Sequence, residues 1–219
     1  MNYLNYAITL SGVSKKVKKQ LILDNITLNL EKNKSYGFVG YNGSGKSMLF
    51  KVICGFTSYS SGSVTVNGKV IGKDVDFIED AGVIIETPEF LPKLTGYENL
   101  LLLSEIRRQI SKEQILHSLK IVGLEQQANK LVGKYSLGMK QRLRIAQAIM
   151  ENQSILILDE PFNGLDKKGL AEMQNLLLEL KKNKTILLTS HSEGDISLLC
   201  DTVFEIESGK IIGEERITN

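Results

Sequence analysis

The segment "SYGFVGYNGSGKSMLFKVICG", residues 35–55, constrains the fold more than any other stretch of the chain. A short apolar strand runs into a loop holding Gly40, Gly43 and Gly45, and the loop runs into a helical pattern that Gly55 stops. In such a junction the first N–H groups of the helix have no partner within it and point back over the strand end. Glycines let the loop backbone curl so that its own N–H groups converge on the same point. The junction asks for an anion, held at the carboxyl edge of a sheet.

Residue by residue, "GYNGSGKS" fits the pattern G-x-x-x-x-G-K-[ST]. The backbone of Gly40, Tyr41, Asn42, Gly43, Ser44 and Gly45 is placed to wrap phosphates, and Lys46 to reach the β- and γ-phosphates. The Ser47 hydroxyl can bind Mg2+, and Met48 continues the first turn, whose positive dipole end faces the anion. A second run, "ILILDEP" from Ile155 to Pro161, is a buried strand with two carboxylates at its C-terminal end. Asp159 can hold Mg2+ through water, and Glu160 can polarise an attacking water as a general base. Alone, such an Asp-Glu pair is an ordinary solvated strand end; beside a phosphate loop it is a candidate catalytic pair.

The rest of the chain supplies the setting. "YAITLSGV" and "QLILDNITLNL" read as strands, with Asp24-Asn25 as a turn signal. "GSVTVNGKVI" is a hairpin on Asn67-Gly68, and "AGVIIE" is another strand. From about Thr95 to Met150 the pattern is helical, with capping boxes at Thr95–Glu98 and Ser111–Gln114 and a third helix in "GMKQRLRIAQAIM". Strands and helices then alternate through "SILILDE", "KKGLAEMQNLLLELKKN", "TILLTSH" and a helix after Ser192, ending in the hairpin "TVFEIESGKIIGE". With "ERITN" after the hairpin, no further C-terminal domain is expected. The pattern predicts an α/β core with a parallel sheet and a helical insert.

Composition narrows the function. A net charge of +2 over 219 residues gives no electrostatic reason to expect nucleic acid. No apolar run approaches the roughly 18 residues of a membrane span, and the N-terminus lacks a signal-peptide pattern. Cys54 and Cys200 lack metal-ligand spacing and read as reduced, buried thiols of a cytosolic protein. His117 falls within a helix as an ordinary surface residue.

With these motifs in order, nearly the whole chain resembles the ATP-binding subunit of ABC transporters. "GYNGSGKS" looks like the Walker A loop and "ILILDE" like Walker B. "YSLGMKQR", whose Ser136 stands 23 residues ahead of Asp159, looks like the signature motif. "NGLD", ending at Asp166, is similar to the D-loop, and His191 to the switch histidine that donates to the γ-phosphate. The resemblance implies a P-loop NTPase (RecA-like) core with an N-terminal antiparallel β-subdomain and an inserted α-helical lobe. It divides the single domain 1–219 into a core of 1–87 and 151–219 and a lobe of 88–150. It implies ATP and Mg2+ as ligands and a head-to-tail homo- or heterodimer. In that dimer Ser136 and the N–H of Gly138 grip a nucleotide held by the opposite subunit. It also implies integral membrane permease subunits, with this chain cytoplasmic on the inner face of the membrane.

Three positions depart from the family pattern. Glu86 stands where most members have glutamine, as a metal-facing residue. Val17 falls near the place of an adenine-stacking ring, which Tyr3 or Tyr6 could replace. Leu137 replaces the first glycine of the signature and is expected to pack against the lobe. Glu86 and "SLGMKQRL" are similar to subunits that export, or confer immunity to, peptide antibiotics of the lantibiotic and bacitracin groups. A soluble ABC ATPase acting on DNA, ribosomes or iron–sulfur assembly is the alternative. The chain carries neither the coiled coils nor the second cassette such proteins use.

Overall fold

The computed structural model describes residues 5–86 and 89–217. Strand β1 (Tyr6–Val17) folds back on β2 (Gln20–Glu31) as a long antiparallel hairpin. β3 (Ser35–Val39) leads into α1 (Lys46–Cys54), and β4 (Ser61–Val66) pairs with the short β5 (Lys69–Val70) across Asn67-Gly68. After β6 (Ala81–Ile84) the described residues form three α-helices, α2 (Gly96–Arg107), α3 (Lys112–Ile121) and α4 (Leu137–Ile149). The chain then runs through β7 (Ile155–Asp159), α5 (Lys167–Leu180), β8 (Thr185–Thr189), α6 (Glu193–Leu199), β9 (Thr202–Glu207) and β10 (Lys210–Arg216).

Two sheets result. One is antiparallel, in the order β2-β1-β4-β5; the other has six strands in the order β10-β9-β3-β8-β7-β6. In the larger sheet every neighbouring pair but β9–β10 is parallel. Period-two alternation sorts its side chains. Ile155, Ile157 and Leu187 join the core beneath the antiparallel sheet and α1, whereas Leu156, Leu158, Ile186 and Leu188 join the core formed with α4, α5 and α6. A strand buried on both faces has no polar alternation, which is why "ILILD" and "TILLT" read as unbroken apolar runs.

Both capping boxes form: Thr95 with Glu98, and Ser111 with Gln114, exchange backbone N–H and side-chain bonds. Gly55 ends α1 at φ 79, as expected. The Asp24-Asn25 turn does not form. β2 continues through it with Asn25 at φ 54, its N–H donating to Ser14 Oγ (2.9 Å), where the pairing with β1 slips by one residue. An asparagine in the left-handed region makes a bulge as readily as a turn. The hairpin closes instead at Lys18-Lys19, with Lys18 at φ 54. Tyr6 therefore lies at the far end of β1 from Val17, about 35 Å away for an extended strand, and opposite Glu31. It cannot replace Val17 beside a nucleotide base; Tyr3 lies outside the described residues.

The helical segment rests on the sheet through α4. Gly82 of β6 makes this possible, because a Cβ there would meet the Ala148 carbonyl oxygen at 1.8 Å. Among the described residues no helix is long and apolar enough to cross a membrane. The thiols of Cys54 and Cys200 are free and buried, and burial pushes both up to about 12. His117 is exposed. Gly82→Ala is expected to destabilise the fold by about 3 kcal/mol or more, as overpacking against backbone does. Urea unfolding of the two proteins measures it.

Candidate functional site

The parallel strands deliver their functional ends to one edge. β3 ends at the glycine loop, β7 at Asp159 and Glu160, β8 just before His191, and β6 two residues before Glu86. At that edge a row of oxygens forms. Ser47 Oγ donates to Asp159 Oδ2 (2.6 Å), Thr189 Oγ1 donates to Asp159 Oδ1 (2.7 Å), and Glu160 N–H donates to Thr189 Oγ1 (2.9 Å). The row joins α1, β7 and β8, so it fixes the loop residue Ser47 against the carboxylates.

The glycine loop is held mainly by backbone. Gly40 stands at φ 147, and a Cβ there would meet the Ile206 carbonyl oxygen at 2.1 Å; no other residue fits. Lys46 is buried and its Nζ donates to Gly40 O (2.7 Å) and Tyr41 O (3.1 Å). The turn Ser208-Gly209 clamps the loop to β2: Gly209 N–H donates to Ser44 O (2.8 Å), and Asp24 N–H donates to Gly209 O (2.9 Å). Ser44 Oγ is buried without a hydrogen-bond partner. Tyr41, Asn42 and Gly43 form the exposed rim, with Tyr41 83% exposed, and Met48 is half-buried behind it.

Glu160 has the unusual environment. Its backbone is left-handed, φ 50, which a glutamate adopts only where its surroundings hold it. Its Oε1 is buried without a hydrogen bond and lies 3.4 Å from His191 Nε2. Burial pushes the carboxyl above its ordinary range; His191 opposes the shift, the neighbouring Asp159 charge adds to it, and Lys46 opposes it weakly.

The other predicted residues are more scattered. Ser136 caps α4, accepting from Met139 N–H (3.2 Å), and Asp166 caps α5, accepting from Gly169 N–H (2.8 Å). These two helix starts adjoin, since a Cβ on Gly138 would lie 3.1 Å from the Gly164 carbonyl oxygen. Leu137 does not pack into the lobe. It is 63% exposed and lies against Gly164, because the first helical position of α4 points outward past the cap. Glu86 is not gathered with Ser47 and Asp159: it pairs with Lys51 of α1 (2.5 Å). Val17 ends β1, exposed.

Three further contacts hold these residues in place. Thr189 bridges the two carboxylate residues. Gly209 clamps the loop. Gln141 is buried, and its Nε2 donates to Pro161 O (2.6 Å) while its Oε1 accepts from Arg144 Nη1 (2.7 Å). That bond ties α4 to the segment following Glu160. Gln141 lies within "YSLGMKQR", five positions past Ser136 on the inward face of the helix.

The family model described as "ABC transporter" matches residues 23–163, well over half of the chain. The chain belongs to the ABC transporter family. As a member it is an ATP-binding subunit and an ATPase. It is 44% identical to YybJ, an uncharacterised ABC transporter ATP-binding protein of Bacillus subtilis (strain 168), over 96% of this chain and 97% of that one. It is 36% identical to the bacitracin transport ATP-binding protein BcrA of Enterococcus faecalis, over all of this chain and 72% of that one. It is 35% identical to the lantibiotic transport ATP-binding protein SrtF of Streptococcus pyogenes, over 95% of this chain and 90% of that one. Among solved structures, the dimeric ATP-binding cassette MJ0796 bound to ADP and Pi superposes with a TM-score of 0.87, covering 97% and 99% of the two chains at 23% identity. That likeness places the α/β core, the antiparallel sheet and the helical insert in the cassette fold.

The raised pKa of Glu160 has a consequence for stability. The folded state binds the Glu160 proton more tightly than the unfolded chain does. Stability is therefore fully present below the ordinary value of 4.5 and is lost as pH rises through the raised one. At neutral pH the charged carboxylate is a cost to the fold. Glu160→Gln in this cassette is expected to raise the melting temperature at pH 7.5, with the gain shrinking as pH falls toward 4.5. Thermal melts of both proteins across that range check the sign.

Proposed function

We propose that this ATPase powers export of a peptide antibiotic, or another amphipathic compound, through separate integral membrane subunits, and so confers immunity or resistance. In this reading it works as a head-to-tail pair on the cytoplasmic face of the cell membrane. The names of BcrA and SrtF support the cargo class, together with the length over which they align.

The observation that carries the motor mechanism is the oxygen row ending beside a buried Glu160 carboxylate oxygen that makes no hydrogen bond and faces His191 Nε2 at 3.4 Å. The N–H groups from Gly40 to Met48 wrap the phosphates, and Lys46 exchanges its bonds to Gly40 and Tyr41 for the β- and γ-phosphates. Ionised Glu160 takes a proton from the water that attacks the γ-phosphate, and ADP and phosphate result. Its elevated pKa makes it a better base than an exposed glutamate. His191 donates to the γ-phosphate. Ser136 and the Gly138 N–H grip the γ-phosphate of the opposite subunit's nucleotide, and Asp166 lies at that seam. Loss of the γ-phosphate removes these contacts, so ATP and ADP favour different states of the pair.

Ser47 Oγ and Asp159 Oδ2, both hard oxygen donors meeting at 2.6 Å, fit Mg2+. When bound, Mg2+ neutralises charge on the β- and γ-phosphate oxygens. Ser47 and Asp159 would hold it, and Glu86, paired with Lys51 in this structure, would have to leave that partner to join them.

Glu160→Gln is expected to keep ATP affinity, to slow turnover by about 10²–10⁴-fold, and to elute as a dimer on size exclusion with ATP. Turnover near wild type would remove Glu160 from the role of base. Lys46→Ala is expected to lose nucleotide binding, read by calorimetry. A host carrying only the Glu160→Gln chain should become more sensitive to bacitracin-type or lantibiotic peptides. Unchanged sensitivity would sink the cargo assignment and leave the motor standing.

A further inference from the structure

Lys51 belongs to none of the motifs, yet it holds one of their residues. Its Nζ lies 2.5 Å from Glu86 Oε1. Lys51 follows Ser47 by four residues on α1, so the two side chains share a helix face one turn apart. Ser47 in turn touches Asp159. From the other side, β6 pairs in parallel with β7, with Ile84 opposite Leu158. Glu86 stands two residues past the one and Glu160 two past the other, so Glu86 leaves the sheet level with the catalytic edge. The carboxylate of Glu86 is thereby held by the residue that stands one helical turn past Ser47 on α1.

Two further features suit a movable carboxylate. Glu86 stands at φ 59, a backbone conformation that a non-glycine residue keeps only when something holds it. The pair is open to water, with Lys51 28% and Glu86 65% exposed at the side chain. An ion pair in that setting is weak enough to exchange for a stronger partner. Glutamine at this position would offer lysine no opposite charge.

We propose that Lys51 is a positioning residue that parks Glu86 one turn short of the metal seat, so that the Lys51 ammonium and the nucleotide-bound divalent cation compete for one carboxylate. This rests on the reading of Ser47 and Asp159 as that seat. Lys51 then sets how much Mg2+ the subunit needs before Glu86 joins the nucleotide. Glu86 departs when the cation is loaded and returns to Lys51 when it leaves.

The test is the Mg2+ concentration that half-saturates binding of a non-hydrolysable ATP analogue, followed by calorimetry. The proteins are wild type, Lys51→Met, Lys51→Arg, Glu86→Gln and the double variant Lys51→Met/Glu86→Gln. Methionine keeps the apolar stem, so the helix end stays packed, and far-ultraviolet circular dichroism verifies each fold. Lys51→Met is expected to lower the Mg2+ requirement about two- to fivefold, the range an exposed ion pair supports. Lys51→Arg should behave like wild type. The same substitution in the Glu86→Gln background should change nothing. An equal effect of Lys51→Met in both backgrounds would overturn the proposal, because lysine would then act by charge alone; no effect in either would overturn it as well. Absence of Mg2+-dependent analogue binding in wild type would instead overturn the metal seat itself.

Discussion

Asp159 accepts from Ser47 on one oxygen and from Thr189 on the other, and the rest of the site takes its position from those two bonds. Each partner comes from a different element: a helix start, a central strand and its neighbour. The arrangement requires that β3, β8 and β7 run parallel, because only then do their carboxyl ends meet at one edge. Parallel strands must be covered on both faces, which in turn demands the two separate cores and the apolar runs that fill them.

The polar groups at this edge conflict with stability in a consistent direction. Glu160 combines a left-handed backbone, a buried oxygen without a hydrogen bond and a raised pKa, and each of these works against folding. Strain of this kind survives where function holds it and neighbouring structure is strong. Here Thr189 takes the Glu160 N–H, and the buried Gln141–Pro161 bond fixes the segment that follows. The second bond also links α4, which opens with Ser136, to the segment that follows Glu160 in its own chain.

Much of this was legible in the sequence, for reasons that differ by residue. The glycine loop could be read because Gly40, Lys46 and Ser47 belong to one contiguous local pattern. The capping boxes could be read because both partners lie within four residues. Asp24-Asn25 was misleading because an asparagine in the left-handed region signals a turn and a bulge alike, and the strand pairing decides between them. Thr189 and Gln141 were silent. Each acts through a partner about 20 to 30 residues away, and neither contact leaves a periodic trace. Glu86 was expected to face a metal, and the structure pairs it with Lys51 instead, a tie that needed the helix face to be known.

The Ser208-Gly209 clamp bears on how such chains can vary. Both of its bonds run between main-chain atoms, so the side chains of Asp24 and Ser44 can change without breaking it, except that proline at 24 would remove the donor. Gly209 has no such freedom: it stands at φ 79, and a Cβ there would meet the Ile22 carbonyl oxygen at 2.2 Å. Length matters more than identity. Deleting one residue from the β9–β10 turn would leave every recognised motif spelled correctly while detaching the phosphate loop from the antiparallel sheet. Drift in letters is tolerated there, and drift in count is not.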